Sequence, residues 1–431
     1  MRILIIAMGS RGDVQPYVAL GKGLKAAGHV VRLLTHENFE GLVNSYGLEF
    51  YRARGNVQEF VESPEMLALL EKGNFLAINA HSSKASQRIA IDWAKDSLAA
   101  CQDMELLIVG VGGLFLSLAL AEKFKLPLLQ AYVFPFTPTT VFPAVLFPQS
   151  ISKLGGYVNR LSHHLFRQIM WQGSRTGDGL ARKKVLDLPS APFWGLYNSQ
   201  HFQRHPILYG LSPSVIPKPF DWRNTHITGY WFLDQAPDWT PPAALLDFLQ
   251  NGSPPVYIGF GSMRSRNPEE TADIVLQAIA LTGQRAILQS GWGGLSKSDL
   301  PNTVFMVDSI PHSWLFPRMA AIVHHGGAGT TAAALRAGVP SILIPFFGDQ
   351  PFWGQRVAEL GVGPKPIPRK QLTVQKLAFS IHTAMTDGLM RQRAADLGAK
   401  IQAEDGIANA VAIIEEMEKR GEFCGDQIRR S

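Results

Sequence analysis

The decapeptide Ile322-Val323-His324-His325-Gly326-Gly327-Ala328-Gly329-Thr330-Thr331 runs from an apolar strand through a turn with three glycines into a stretch of small residues, Ala332 to Leu335, that reads as a helix. Glycines let a ligand approach the backbone closely, and the amides at a helix start, aided by the helix dipole, suit a diphosphate. Thr330 and Thr331 add hydroxyl donors. His324 or His325 can donate from an imidazole to a phosphate oxygen as negative charge grows on a leaving group. The plainer alternative is a tight turn whose glycines serve packing alone, and the flanking pairs of histidines and threonines weigh against it. The spacing is neither GxGxxG nor a P-loop, since no GK[ST] follows.

The same grammar recurs on both sides of this stretch. Upstream in the second half lie Val256 to Phe260 before Gly261-Ser262, then Arg285 to Gln289 and Val304 to Val307; Ser341 to Pro345 lies downstream. In the first half Ile3 to Ala7 runs into Gly9-Ser10-Arg11-Gly12, followed by Val30 to Leu34 and Leu106 to Val109. Strands alternating with helices imply parallel strands joined by right-handed crossovers. The expected fold is therefore α/β, with two Rossmann-like doubly wound domains facing a cleft. The expected boundaries are a first domain over 1–220, the interdomain linker and start of the second domain over 221–255, the second domain proper over 256–405, and a tail over 406–431 whose helix, about Asn409 to Arg420, packs back on the first domain.

Composition is compatible with this and excludes much else. A chain of 431 residues, 46% hydrophobic and 18% charged, is long enough for two or three folded domains and is not a disordered one. A net charge of +6 is too dilute to demand a nucleic acid, though it suits an anionic ligand or a membrane face. Two cysteines, Cys101 and Cys424, lie far apart without CxxC spacing, so neither a disulfide framework nor a zinc site is expected, and a reducing cytoplasm fits. Met1 to Ala7 reads as a mature strand rather than a signal peptide. No membrane-spanning helix is expected: Leu106 to Ala121 is glycine-broken and short, and Leu126 to Phe147, interrupted by four prolines, reads as loop lining a pocket or lying against a membrane.

Two further strings stand at the carboxyl ends of expected strands, where open α/β sheets place ligands. In Gly9 to Pro16, Asp13 either takes a proton from a hydroxyl or caps the helix that follows; Arg11 is either its partner or a solvated turn residue. In Pro345 to Trp353, Asp349 and Gln350 offer donors and acceptors suited to sugar hydroxyls, or else cap a turn. Ser262 and the amides beside it open the second domain's first crossover and reach the same anion from another side. The remaining histidines have no metal-ligand spacing.

At these residues the chain resembles family 1 glycosyltransferases of the two-domain GT-B type, and within them the sterol 3-beta-glucosyltransferases. Beyond the strings already quoted, the resemblance rests on Val215-Ile216-Pro217-Lys218-Pro219-Phe220-Asp221-Trp222, Thr228-Gly229-Tyr230-Trp231-Phe232, Gln289-Ser290-Gly291-Trp292-Gly293-Gly294 and Pro311 to Arg318, in the family's order across the whole chain. It implies transfer of glucose from UDP-glucose, with inversion and without a metal or other cofactor, to a hydrophobic hydroxylated acceptor, a sterol or triterpenoid. Asp13 would be the general base, since Tyr17, Val18 and Ala19 stand where many relatives have a histidine. His325, His324, Thr330 and Thr331 would hold the diphosphate, with Ser262 and the amides of Gly327 and Gly329. Asp349 and Gln350 would bind the sugar, and Val307 and Trp292 would flank the uracil. Phe134, Phe136 and Phe142 would line the acceptor pocket of the first domain.

The partners so implied are a UDP-sugar, the acceptor and, peripherally, a membrane, with no nucleic acid. The alternatives are transfer to a polyketide, antibiotic or flavonoid aglycone, or a non-enzymatic sterol carrier that retains a nucleotide site. Fungal sterol glucosyltransferases carry lipid-binding modules ahead of the catalytic part, and this chain is expected to begin directly at its first strand.

Overall fold

The computed structural model describes residues 1–56, 59–60, 63–72, 75–197, 199–234, 239–260, 268–290 and 300–423. Two compact units emerge, one of residues 1–69, 74–233 and 404–431, the other of 234–403 with the short piece 70–73.

The first unit is built on a parallel sheet of seven strands: β1 (Arg2–Ile6), β2 (Val30–His36), β3 (Glu49–Ala53), β4 (Leu106–Val109), β5 (Leu128–Tyr132), β6 (Ile207–Tyr209) and β7 (Thr225–Ile227). Their spatial order is β3-β2-β1-β4-β5-β6-β7. The chain therefore builds outward from β1 in one direction and then, from β4, in the other, so the order reverses between β1 and β4. Central strands such as β4, LLIV, are buried throughout, because helices cover both faces of a parallel sheet.

The segment expected as loop contains strand β5. Pro127 has no N–H to give, but its carbonyl accepts from Leu107 at 3.0 Å, so a proline at the strand's entrance leaves the ladder intact.

The second unit has five parallel strands: β8 (Val256–Gly259), β9 (Ala286–Gln289), β10 (Val304–Val307), β11 (Ala321–His324) and β12 (Ser341–Leu343). Their order, β10-β9-β8-β11-β12, reverses between β8 and β11. Two parallel α/β sheets were the expectation, and both are present.

The last helix, Gly406–Lys419, belongs to the first unit and lies against the first helix, Arg11–Ala26. Ala410, Ile414 and Met417 join the core beneath β1, and Gly23 leaves the space that Ile407 fills. Its entry is a close backbone crossing: a side chain on Gly229 would come within 2.9 Å of Gly406 Cα. Ser212 and Ser214 donate to Glu404 Oε1 at 2.7 and 3.0 Å just before it. Among the described residues no helix is long and apolar enough to cross a membrane.

Candidate active site

In the second unit three turns meet at the carboxyl edge of the sheet, where β8 and β11 lie side by side with Gly259 opposite His324. The turn after β11 contacts the turn after β12: a side chain on Gly326 would lie 3.2 Å from the Gln350 carbonyl oxygen. Phe260, after β8, packs on Phe346 with ring centroids 5.6 Å apart.

The two adjacent histidines differ here: His324 is the last residue of β11 and His325 opens the turn, its ring perpendicular to that of His324 with centroids 6.4 Å apart. His324 is fully buried, and its Nδ1 accepts the Gly326 amide at 3.1 Å, which leaves the proton on Nε2. Burial, with His325 and His312 nearby, holds its pKa well below the ordinary value, so it stays neutral. His324 shapes the turn from beneath, which corrects its expected place as a donor ligand. His325 instead lies over the turn, and a Cβ at position 327 would sit 2.6 Å from its Nε2, so the imidazole occupies the space that Gly327 leaves. Burial pushes its pKa down to about 4, so it is a neutral imidazole with a single N–H at neutral pH.

Helix Ala328–Arg336 starts at this turn with no side-chain cap. Its first internal bond is from the Thr331 amide to the Gly327 carbonyl at 2.9 Å, so the amides of Ala328, Gly329 and Thr330 precede the intrahelical ladder. Gly329 is exposed, and a Cβ built on it meets nothing within 4 Å. The threonines also divide. Thr331 is fully buried and its hydroxyl donates to the Gly327 carbonyl at 2.9 Å, a structural bond that withdraws it from the diphosphate role expected of it, whereas Thr330 is half-buried.

Asp349 stands at the N-terminus of helix Gln350–Glu359 without a side-chain capping bond, and its Oδ2 accepts the Trp353 indole N–H at 2.8 Å. Gln350 is buried, and its Oε1 accepts from the backbone amides of Phe346 and Phe347 at 2.8 and 3.3 Å. Its carbonyl thus secures the turn that presents Asp349. Val307 is buried in an apolar cluster with Leu315 and Phe316, so its side chain faces core. Its carbonyl accepts from Ser290 at 2.6 Å. Ser262 and Trp292 lie outside the described residues.

In the first unit Asp13 follows β1 at the point where the strand order reverses. Its Oδ2 accepts both the backbone N–H and the hydroxyl of Ser10, at 2.9 and 2.8 Å, so the carboxylate caps its helix. Among the described residues Oδ1 takes part in no hydrogen bond, and capping and proton acceptance are compatible in one carboxylate. Burial raises its pKa against the opposing pull of the Ser10 bonds. Arg11 is exposed as the first residue of the helix and donates to Gln15 at 3.0 Å, so it is a solvated residue rather than a partner of Asp13, though in a helix and not a turn.

Tyr17, one helical turn on, was not read as functional. Its hydroxyl donates to the Ala131 carbonyl at 2.6 Å, its ring meets Trp231 edge-on at 5.9 Å, and burial together with the Asp13 charge keeps it protonated. Trp231 in turn donates to Thr228 at 2.9 Å, so the Thr228-to-Phe232 motif braces the helix that carries Asp13.

The expected acceptor aromatics are unequal. Phe136 is fully buried among Tyr132, Phe166 and Tyr197, which makes it a core residue and corrects its expected place in a pocket. Phe134 and Phe142 are half-buried; Phe134 packs on Phe136, and Phe142 lies near His163 and Trp222. No sequence signal pointed to Arg167, a buried cation whose guanidinium lies 5.1 Å from the rings of both Phe136 and Tyr197 and whose Nε donates to the Phe136 carbonyl at 3.3 Å. Among the described residues no cluster of three or more His, Cys, Asp or Glu is placed to hold a metal.

Comparison with known proteins agrees with this architecture. Residues 3–143 match the glycosyltransferase family 28 N-terminal domain, and 286–417 match the C-terminal domain of erythromycin biosynthesis protein CIII-like proteins. The crystal structure of the glycotransferase of kitacinnamycin superposes with a TM-score of 0.69 at 18% identity, covering 96% of this chain and 98% of that one. The glycosyltransferase VinC in complex with DTDP gives 0.67 at 19% identity, covering 98% and 100%. The fold is that of the GT-B glycosyltransferases.

Two sterol 3-beta-glucosyltransferases of Arabidopsis thaliana are each 38% identical over 95% of the chain, which spans 64% and 67% of their lengths. One of Aspergillus fumigatus is 37% identical over 96% of the chain, which spans 30% of it. The chain belongs to the sterol 3-beta-glucosyltransferase family.

Proposed function

We propose that the protein transfers glucose from UDP-glucose to the 3-beta hydroxyl of a sterol, with inversion at the anomeric carbon. The observation that supports this most is that the 38% identity to the Arabidopsis enzymes runs through 95% of the chain, and so through both the unit bearing Asp13 and the unit bearing the His325 turn. In this reading Asp13, held by Ser10 and made more basic by burial, accepts the acceptor's hydroxyl proton as its oxygen attacks the anomeric carbon. The bond to the UDP oxygen breaks on the opposite face. The charge developing on the diphosphate is met by the amides of residues 328 to 330, the helix dipole, the Thr330 hydroxyl and the single N–H of neutral His325. Asp349, oriented by Trp353, binds sugar hydroxyls.

The test is incubation of the purified protein with UDP-glucose and detergent-solubilised sterols, triterpenols, flavonoids and polyketide aglycones, followed by mass spectrometry. A hexose added to sterols, and lost in Asp13→Asn, is the expected result. Hexose on other aglycones only would discard the sterol, and sterol binding without transfer would leave a carrier.

A further inference from the structure

Helix Gly156–Ala181 is amphipathic in an unusual way. Its inward arc, with Asn159, Ser162, His163, Phe166 and Arg167, is buried, as a helix packed on a domain requires. Its outward arc is apolar as well: Tyr157, Leu161 and Leu165, each four residues apart, form an exposed row in which Tyr157 is 91% accessible. Just before it Leu154 is 71% accessible, and beside its later turns Phe193 and Trp194 stand out, Trp194 at 69%. Arg160 and Arg175 fall on the same arc at helical spacing, and the Arg175 guanidinium stacks 4.8 Å from the Phe193 ring.

The charge pattern is one-sided. From Lys123 to Gly177 the sequence contains no aspartate or glutamate, while it contains Lys123, Lys125, Lys153, Arg160, Arg167 and Arg175. Isolated exposed apolar residues need no explanation, but a continuous row of them flanked by cations and free of acids does.

We propose that the outward face of helix Gly156–Ala181, with Leu154 and the Phe193-Trp194 pair, docks on the surface of an anionic lipid bilayer. The leucines enter the headgroup–acyl boundary, tyrosine and tryptophan sit at headgroup level, and the arginines pair with lipid phosphates. A bilayer is favoured over a protein partner because the exposed apolar row is flanked by the exposed cations Lys153, Arg160 and Arg175, has no acid in the sequence around it from Lys123 to Gly177, and is aromatic at both ends. The same helix's inward arc contacts the Phe136 and Phe142 segment, so docking would place the acceptor-side loop near the medium in which an apolar acceptor is dissolved. That last consequence rests on the function proposed above, and the docking itself does not.

The experiment is sedimentation of the full chain with vesicles of phosphatidylcholine alone or with phosphatidylserine, without donor or acceptor. Binding to the anionic vesicles is expected, weakening as salt is raised. Arg160→Glu with Arg175→Glu removes two cations, each worth about fivefold near an anionic surface, and is expected to cut partitioning at least about twenty-fivefold. Tyr157→Ser with Leu161→Ser is expected to cut it more than tenfold, with transfer to a detergent-solubilised acceptor unchanged. Both arginines are exposed on the surface, and an unchanged thermal melt of the variant checks that loss of binding there does not come from misfolding. No binding by the wild type, binding by both variants equal to that of the wild type, or a dimer that the serine variant dissociates would overturn the proposal. Because no transfer is measured in the vesicle assay, its failure and failure of the proposed reaction are distinguishable.

Discussion

A side-chain carbon on residue 9 would lie 2.5 Å from Oδ2 of Asp13, so the carboxylate occupies space that Gly9 alone leaves. Gly9 also holds φ at +148°, a conformation that side chains rarely adopt. Gly9→Ala must therefore displace either the backbone or the carboxylate. Strain of this kind costs on the order of 1–3 kcal/mol. The expected result is a fall in Tm of several degrees and a loss of at least about tenfold in kcat/KM, measured by UDP release. An unchanged kcat/KM would show that the carboxylate needs no fixed position.

Asp13→Asn keeps an oxygen that can accept both Ser10 bonds and deletes the base. A positioned general base contributes about a hundredfold to ten-thousandfold, so kcat should fall by that much while UDP affinity, which the proposed reaction assigns to the other unit, stays constant. The folded carboxyl has a raised pKa, so the folded state holds its proton to higher pH than the unfolded state does. Burial of Asp13 therefore costs stability as pH rises past the ordinary carboxylate range, and Asp13→Asn should unfold no lower, and at neutral pH higher, than the wild type. The wild-type kcat/KM profile should show an acid limb above the pKa of a free aspartate. A variant that is both inactive and markedly less stable would make Asp13 a helix cap and nothing more.

His325, pushed down to about 4, is uncharged through the working range, so no limb of the pH–rate profile near 6 should belong to it. Its depressed pKa means that the unfolded chain binds a proton first, and the fold should lose stability as pH falls from about 6.5 toward 4. His325→Ala should remove its own share of that loss in thermal melts, the other buried histidines such as His324 and His163 keeping theirs, and, if the imidazole donates to the leaving diphosphate, raise the barrier behind kcat by an amount on the order of 3 kcal/mol. The control is His324→Ala, which should unfold the turn and depress Tm, because His324 is core. Equal Tm effects at the two positions would contradict the deeper burial of His324.

The pair His324-His325 shows what was legible in the sequence. Residue types and the strand-to-helix turn stood out in the string itself, and the doubly wound sheets followed from apolar runs that are buried on both faces. Which histidine and which threonine face inward depended on where β11 ends and on the Gly326 turn, and these are set by pairing with β8 and β12. Short strands at the sheet's edge, β6 and β7, have three residues each and no periodicity to find. Arg167 was invisible for another reason: an arginine on a helix reads as solvated, and only the packed aromatics around it show that it is not.

Trp353 and Asp349 provide the sharpest test of the sugar end. The indole N–H donates to Asp349 Oδ2 at 2.8 Å from one turn into the helix, and the indole itself is almost fully buried. Trp353→Phe keeps most of the packing and deletes the donor, while Asp349→Ala deletes the acceptor. A hydrogen bond from a sugar hydroxyl to a carboxylate is worth about 1.5–3 kcal/mol, so Asp349→Ala should cost roughly tenfold to 150-fold in kcat/KM for the donor. Trp353→Phe alone should cost less, because the carboxylate remains but wanders. In the Asp349→Ala background Trp353→Phe should add almost nothing, since its partner is already gone, and the coupling measured by the double-mutant cycle should approach the whole effect of the single change. If Trp353→Phe costs the same in both backgrounds, the tryptophan acts through packing, and Asp349 is oriented by something else.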